Sequence, residues 1–134
     1  MRPFVSYWKR RNDPKFRRGR LGERSAARHL RKQGLKVLLR NVKVGGGELD
    51  LVCRDQETLV FVEVKARQKD AWERPATAVD QRKRRLIIRA ADAYLAELMN
   101  PEINVRFDIV EVRLDEDDVF NVNWIPSAFD GKGN

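Results

Sequence analysis

Apolar and polar positions recur along the chain with two different periods. Between Gly19 and Gln33, Ala26, Ala27 and Leu30 fall at the three- and four-residue spacing of one helix face. Gly34 then stands where a helix terminator belongs. Leu35 to Val44 is rich in Val and Leu and runs into Gly45-Gly46-Gly47, the composition of a turn. Glu48 to Arg54 changes to a period of two, with Glu48, Asp50 and Val52 on one face and Leu49, Leu51 and Cys53 on the other. The polar link Asp55-Gln56-Glu57 leads to a third strand, Thr58 to Arg67. Three short strands joined by tight polar turns predict an antiparallel meander.

Lys69 to Pro75 reads as a loop. A long helix is predicted from Thr77 to Met99, with Thr77 and Asp80 as a capping box and a buried stripe through Val79, Leu86, Ile87, Ala90 and Tyr94. Asn100-Pro101 ends it, because the residue before a proline is pushed out of helical geometry. Val105 to Leu114 and Val119 to Trp124 supply two more strands. The order is helix, three strands, helix, two strands, with no internal repeat. Residues 1–18 show no period and predict a flexible basic arm, residues 19–125 a single domain, and residues 126–134 a flexible tail.

A length of 134 residues suits that one domain. No apolar run reaches the roughly 18–20 residues of a membrane span, and the start lacks the apolar core of a signal peptide. A cytoplasmic protein with no membrane partner is the expectation. The single Cys53 excludes a disulfide framework, and one His with one Cys leaves no zinc cluster. Charge adds more. The net value of +8 favours a polyanionic partner. It is concentrated before Arg24 and in Arg82, Lys83, Arg84, Arg85 and Arg89, while Asp115 to Asp118 form an acidic run. Each run taken alone reads equally well as a solvated face. Phe4, Tyr7, Trp8 and Phe16, interleaved with the first run, could stack on bases.

The third strand carries the chemical anomaly. Val60, Phe61, Val62 and Val64 are apolar on both faces, the pattern of a covered strand, yet Glu63 and Lys65 share one face. If the second strand is its neighbour, Asp50 can lie beside Glu63. Two carboxylates about 5 Å apart at an effective dielectric near 20 repel by roughly 3 kcal/mol. A cation between them relieves that repulsion, and Mg²⁺ takes one or two carboxylates plus water and phosphate oxygens. Beside a metal, Lys65 could orient a water and stabilise charge growing on a phosphate. An ordinary cross-strand ion pair is the competing reading.

Glu23 shares the inward stripe of Ala26, Ala27 and Leu30, which makes it a third candidate carboxylate or else an acid favoured by the helix dipole. Lys83 stands at the same spacing before Leu86, Ile87 and Ala90, so its ammonium either reaches the sheet or snorkels to solvent. Gln81 and Arg82 are positioned to meet a nucleic-acid backbone. Gly45-Gly46-Gly47 lacks the Gly-Lys-Ser/Thr ending of a phosphate loop. Cys53 reads as core, His29 as surface, Trp72 as packed on the sheet edge or flanking a groove, and Asp108 as a buried pairing group.

Gly22-Glu23, Gly47-Glu48-Leu49-Asp50-Leu51-Val52 and Phe61-Val62-Glu63-Val64-Lys65-Ala66-Arg67 together resemble the YraN uncharacterised protein family. That family is placed in the PD-(D/E)XK nuclease superfamily and is similar to archaeal Holliday junction resolvases. The resemblance spans Gly19 to Trp124. It implies an α/β, restriction-endonuclease-like core, α-β-β-β-α-β(-β), with a central mixed sheet flanked by helices. It further implies that Asp50, Glu63 and the Val64 carbonyl, with Glu23, ligate Mg²⁺ or Mn²⁺, and that Lys65 completes the catalytic set Asp50, Glu63, Lys65 and Glu23. Leu49 stands where the superfamily has proline.

The resulting expectation is a metal-dependent endonuclease on DNA, branched or single-stranded, with Arg20, Arg67, Gln81, Arg82, Lys83 and Arg84 holding nucleic acid. A homodimer would suit symmetric cutting. The alternatives are a catalytically silent nucleic-acid-binding module of the same fold and an adaptor for an acidic protein.

Overall fold

The computed structural model describes residues 13–72, 75, 79–99 and 102–134. Its elements are α1 (Pro14–Lys32), β1 (Lys36–Val44), β2 (Gly47–Asp55), β3 (Thr58–Gln68), α2 (Gln81–Leu98), β4 (Asn104–Asp115) and β5 (Asp118–Phe129). The five strands form one sheet in the order β1-β2-β3-β4-β5. β1, β2 and β3 are the expected antiparallel meander. α2 crosses over to make β4 parallel to β3, and β5 returns antiparallel to β4. This mixed, two-helix α/β sheet has a restriction-endonuclease-like arrangement.

Each face of the sheet carries its own core. α1 lays Ala26, Ala27 and Leu30 against Leu51, Cys53, Val60, Val62, Val110 and Val112. On the opposite face α2 brings Ile87, Ala90 and Ala91 onto Val52, Phe61, Phe107 and Ile109. There the Phe61, Phe107 and Phe129 rings stack at 5.6 and 5.1 Å, and Tyr94 meets Phe61 edge-on at 5.9 Å. Asp108 lies fully buried among the first set, as a pairing group. It accepts from Arg106 Nε and Nη2, from Trp124 Nε1 and from the Ser127 amide.

Several expected boundaries move, each for a local reason. α1 begins at Pro14, inside the stretch expected to be an arm, because Asp13 caps it by accepting from the Lys15 amide at 2.8 Å and Pro14 occupies the first turn. That turn needs no apolar face, which is why no period announces it. Arg17 there pairs with Asp117, so the basic and acidic runs partly neutralise each other. Residues 1–12 lie outside the described residues.

α2 begins at Gln81, with Asp80 itself as the cap accepting from Lys83 N at 2.8 Å. Thr77, the expected cap, lies outside the described residues. The expected free tail is docked. β5 continues through Pro126, tolerated because β5 is an edge strand, to Phe129. Beyond it the Gly133 carbonyl accepts from Gln81 Nε2 (3.1 Å) and Arg84 Nη1 (2.8 Å).

The alternation in β2 also breaks. Leu51 and Cys53 share a face as expected, the one that meets α1, but Leu49, expected beside them, joins the α2 core. The irregularity is centred on Asp50. Opposite it in β1, Asn41 takes a left-handed backbone (φ +53°), which asparagine tolerates better than most residues.

Candidate active site

Three elements deliver the acids. Leu51 pairs with Val62 across β2 and β3, so the next step along both strands sets Asp50 opposite Glu63. The Val64 amide donates to Asp50 Oδ2 at 2.8 Å. From the α1 side, Gly22 lets the helix approach β3 so closely that a Cβ at this position would lie 2.6 Å from Ala66 Cβ. That approach carries Glu23 near enough to Asp50 for their charges to interact. From the other side, α2 brings Lys83 Nζ to 3.5 Å from Glu63 Oε1. A second glycine contact seats the β1–β2 turn: a Cβ on Gly45 would lie 2.7 Å from Ala93 Cβ.

The electrostatics follow from burial. Desolvation, then repulsion from Glu63, pushes the Asp50 carboxyl up to about 8, against the opposing Val64 hydrogen bond and Lys83. Glu63, 8% exposed, is raised by desolvation too, with Lys83 pulling the other way. Lys83 is held above its ordinary value chiefly by the Glu63 charge. Glu23 is raised by its own burial, partly offset by the side-chain amide of Asn41. The Asp50–Glu63 pair therefore holds a proton to higher pH than free carboxyls do in the metal-free protein. A divalent cation would replace it.

The donor set fits such an ion. Mg²⁺ needs one or two carboxylates and fills its remaining positions with carbonyl, water and phosphate oxygens. Asp50 and Glu63 would hold it. Among the described residues no three His, Cys, Asp or Glu side chains close into a metal-holding group. Glu23 Oε2 is nonetheless buried without a hydrogen-bond partner, and Arg20 Nη1 stands 3.6 Å away. Lys65, on the same face as Glu63, is exposed, and its charge lowers the Glu63 pKa.

The expected nucleic-acid contacts divide into two groups. Arg20 and Arg82 are exposed, and Lys83 is half-exposed while engaged with Glu63. Arg67 is buried, 2% exposed, with Nη2 at 2.9 Å from Glu111 Oε2, so it is a structural residue and not a surface contact. Arg84 is also committed internally, to the Val79 and Gly133 carbonyls and over the Phe129 ring, and Gln81 holds Gly133 beside it. Trp72 is 93% exposed, so it does not pack on the sheet edge. Cys53 is core, its thiol pushed up to about 12 by burial and by Asp108.

Two residues near the site escaped the pattern reading. Asn41 looks like any polar residue on an edge strand, and only its positive φ marks it. Glu48, exposed at the start of β2, acts electrostatically on Asp50, Glu23 and Lys83. Its place beside the turn glycines was the available signal.

Fold and site together define an α/β protein of restriction-endonuclease-like arrangement with an acid pair, Glu63 buried and Asp50 half-buried, at the junction of β2 and β3. Comparison with known proteins names its family. The profile of "Uncharacterised protein family UPF0102" matches residues 22–112. The UPF0102 protein of Syntrophotalea carbinolica is 45% identical over 115 residues, covering 86% of this chain and 93% of that one. Those of Dechloromonas aromatica and Trichlorobacter lovleyi are 42% and 41% identical, over 88% and 84% of this chain and 92% and 89% of theirs. The chain belongs to the UPF0102 (YraN) family.

Proposed function

We propose that the protein is a metal-dependent endonuclease that hydrolyses phosphodiester bonds in DNA, branched or single-stranded. The observation that carries this reading is the Asp50–Glu63 pair, set face to face in a largely buried position of a strongly basic chain, with Lys83 3.5 Å from Glu63. Two adjacent carboxylates, one buried and one half-buried, destabilise a fold unless a proton or a cation offsets their repulsion. No described helix is long and apolar enough to cross a membrane.

In this reading Asp50 and Glu63 bind Mg²⁺ or Mn²⁺, aided by the Val64 carbonyl and, through its charge, by Glu23. The bound ion supplies Lewis-acid polarisation of the scissile phosphate and a lowered pKa for water. Lys65 orients the attacking water and stabilises charge growing on the phosphate. Arg20 and Arg82 hold the flanking phosphates, contacts that make binding weaken with salt. A homodimer would let two such sites cut a branched substrate symmetrically.

Purified protein incubated with branched, single-stranded and duplex DNA in Mg²⁺ or Mn²⁺ tests this. Metal-dependent cleavage should vanish in Glu63→Ala and Lys65→Ala. Cleavage unchanged by both substitutions would remove these residues from the chemistry. Salt-sensitive DNA binding without scission by the intact protein would instead leave a nucleic-acid-binding module.

A further inference from the structure

The lysine that meets the acid pair comes from the helix and not from the strand. Lys83 Nζ stands 3.5 Å from Glu63 Oε1, its side chain half-exposed, whereas the Glu63 side chain is 9% exposed. The ammonium is thus a cation already lodged at the opening of the carboxylate pair, and Asp50 feels its charge as well. Its neighbours on α2 point elsewhere. Arg82 and Arg85 are exposed, and Arg84 is tied to the C-terminal segment. The fixed partner is the helix itself, because Asp80 pins the Lys83 amide and Arg84 clamps Val79 and Gly133. Only the flexible stem of Lys83 is left to move.

We propose that Lys83 is a resident counter-cation: it occupies Glu63 in the metal-free protein and withdraws when a divalent ion binds. The inference rests on the proposed metal site and deepens it. Two cations cannot share one carboxylate pair without repelling, and the long four-carbon stem lets the ammonium swing out at little cost. Once released it lies on the solvent side of α2 with Arg82 and Arg85, where a nucleic-acid phosphate is its natural next partner. Metal occupancy and substrate grip would then be linked through one side chain. Lys65 remains available for the reaction itself.

Lysine labelling with an amine-reactive ester, read by mass spectrometry with and without saturating Mn²⁺, tests the swap in the full chain. Calorimetry on the same sample reports whether Mn²⁺ binds. The expected result is Mn²⁺ binding with a several-fold rise in Lys83 labelling, while the exposed Lys36 and Lys43 label equally in both states. Lys83→Met, checked for folding by thermal melting, should bind Mn²⁺ several-fold more tightly than the parent, and Lys65→Met should gain less. Mn²⁺ binding with unchanged or reduced Lys83 labelling, or Lys83→Met with parental affinity, would overturn the swap and leave the metal site standing. Absence of Mn²⁺ binding would overturn both.

Discussion

The backbone amide of Val64 donates to the side chain of Asp50 at 2.8 Å. A side-chain oxygen thus takes a sheet amide of β3 just where the paired register of β2 and β3 ends, at Leu51 and Val62. The bond fixes the carboxylate opposite Glu63 and accounts for the broken alternation that sends Leu49 to the other face. The site is built into the hydrogen bonding of the sheet.

Because Asp50 is raised from 3.8 to about 8 on folding, its contribution has a definite sign with pH. A raised carboxyl stabilises the metal-free fold fully below its unfolded value, and that stability is lost as pH climbs through the folded value. Thermal stability in the presence of a chelator should therefore decline between about pH 4 and pH 8. Asp50→Asn keeps an acceptor for Val64 and removes the charge. It should flatten that decline and stabilise the metal-free protein at the alkaline end by about 1–2 kcal/mol. A parallel decline in both proteins would show that Asp50 is not the group responsible.

Asn41 acts on Glu23 through its side chain while its backbone demands a positive φ. Glycine satisfies the backbone and deletes the amide. Asn41→Gly should leave stability within about 0.5 kcal/mol and raise the Glu23 pKa, followed by carboxyl-carbon NMR titration. An unmoved Glu23 titration would break the link between the two.

Gly22 is the close-approach point of α1 on β3. Gly22→Ala forces its new methyl against Ala66 Cβ and should cost about 1–3 kcal/mol in urea unfolding. Adding Ala66→Gly should recover part of that loss. Full stability in the single variant would mean the helix can shift without strain.

Asp108 shares the α1 face with Val62, away from Lys83. Asp108→Ala leaves Arg106 only Asp55, strands the Trp124 indole and the Ser127 amide, and should lower unfolding free energy by about 3 kcal/mol or more. Divalent-ion binding by the folded variant should stay parental. A change in that affinity at full stability would tie Asp108 to the site.

The sequence announced what depends on local period. The meander, both apolar helix faces and the Asp50, Glu63 and Lys65 positions could all be read because strand alternation and helical spacing act over a few residues. What it hid depends on side-chain capping or distant partners. The start of α1 rests on Asp13 and not on apolar spacing. The docking of the C-terminal segment depends on Arg84 and Gln81, some fifty residues earlier in the chain. Arg67 reads as a surface cation until Glu111 arrives from β4 to pair with it. Asn41 lies beside Glu23 only because Gly22 lets α1 settle so low on the sheet.

A crystal soaked in Mn²⁺ and measured for anomalous scattering addresses the central claim most directly. The account predicts a single strong peak between the Asp50 and Glu63 carboxylates, absent from crystals of Asp50→Asn combined with Glu63→Gln. Well-ordered carboxylates with no peak between them at saturating Mn²⁺, or a peak that survives the double substitution, would contradict it.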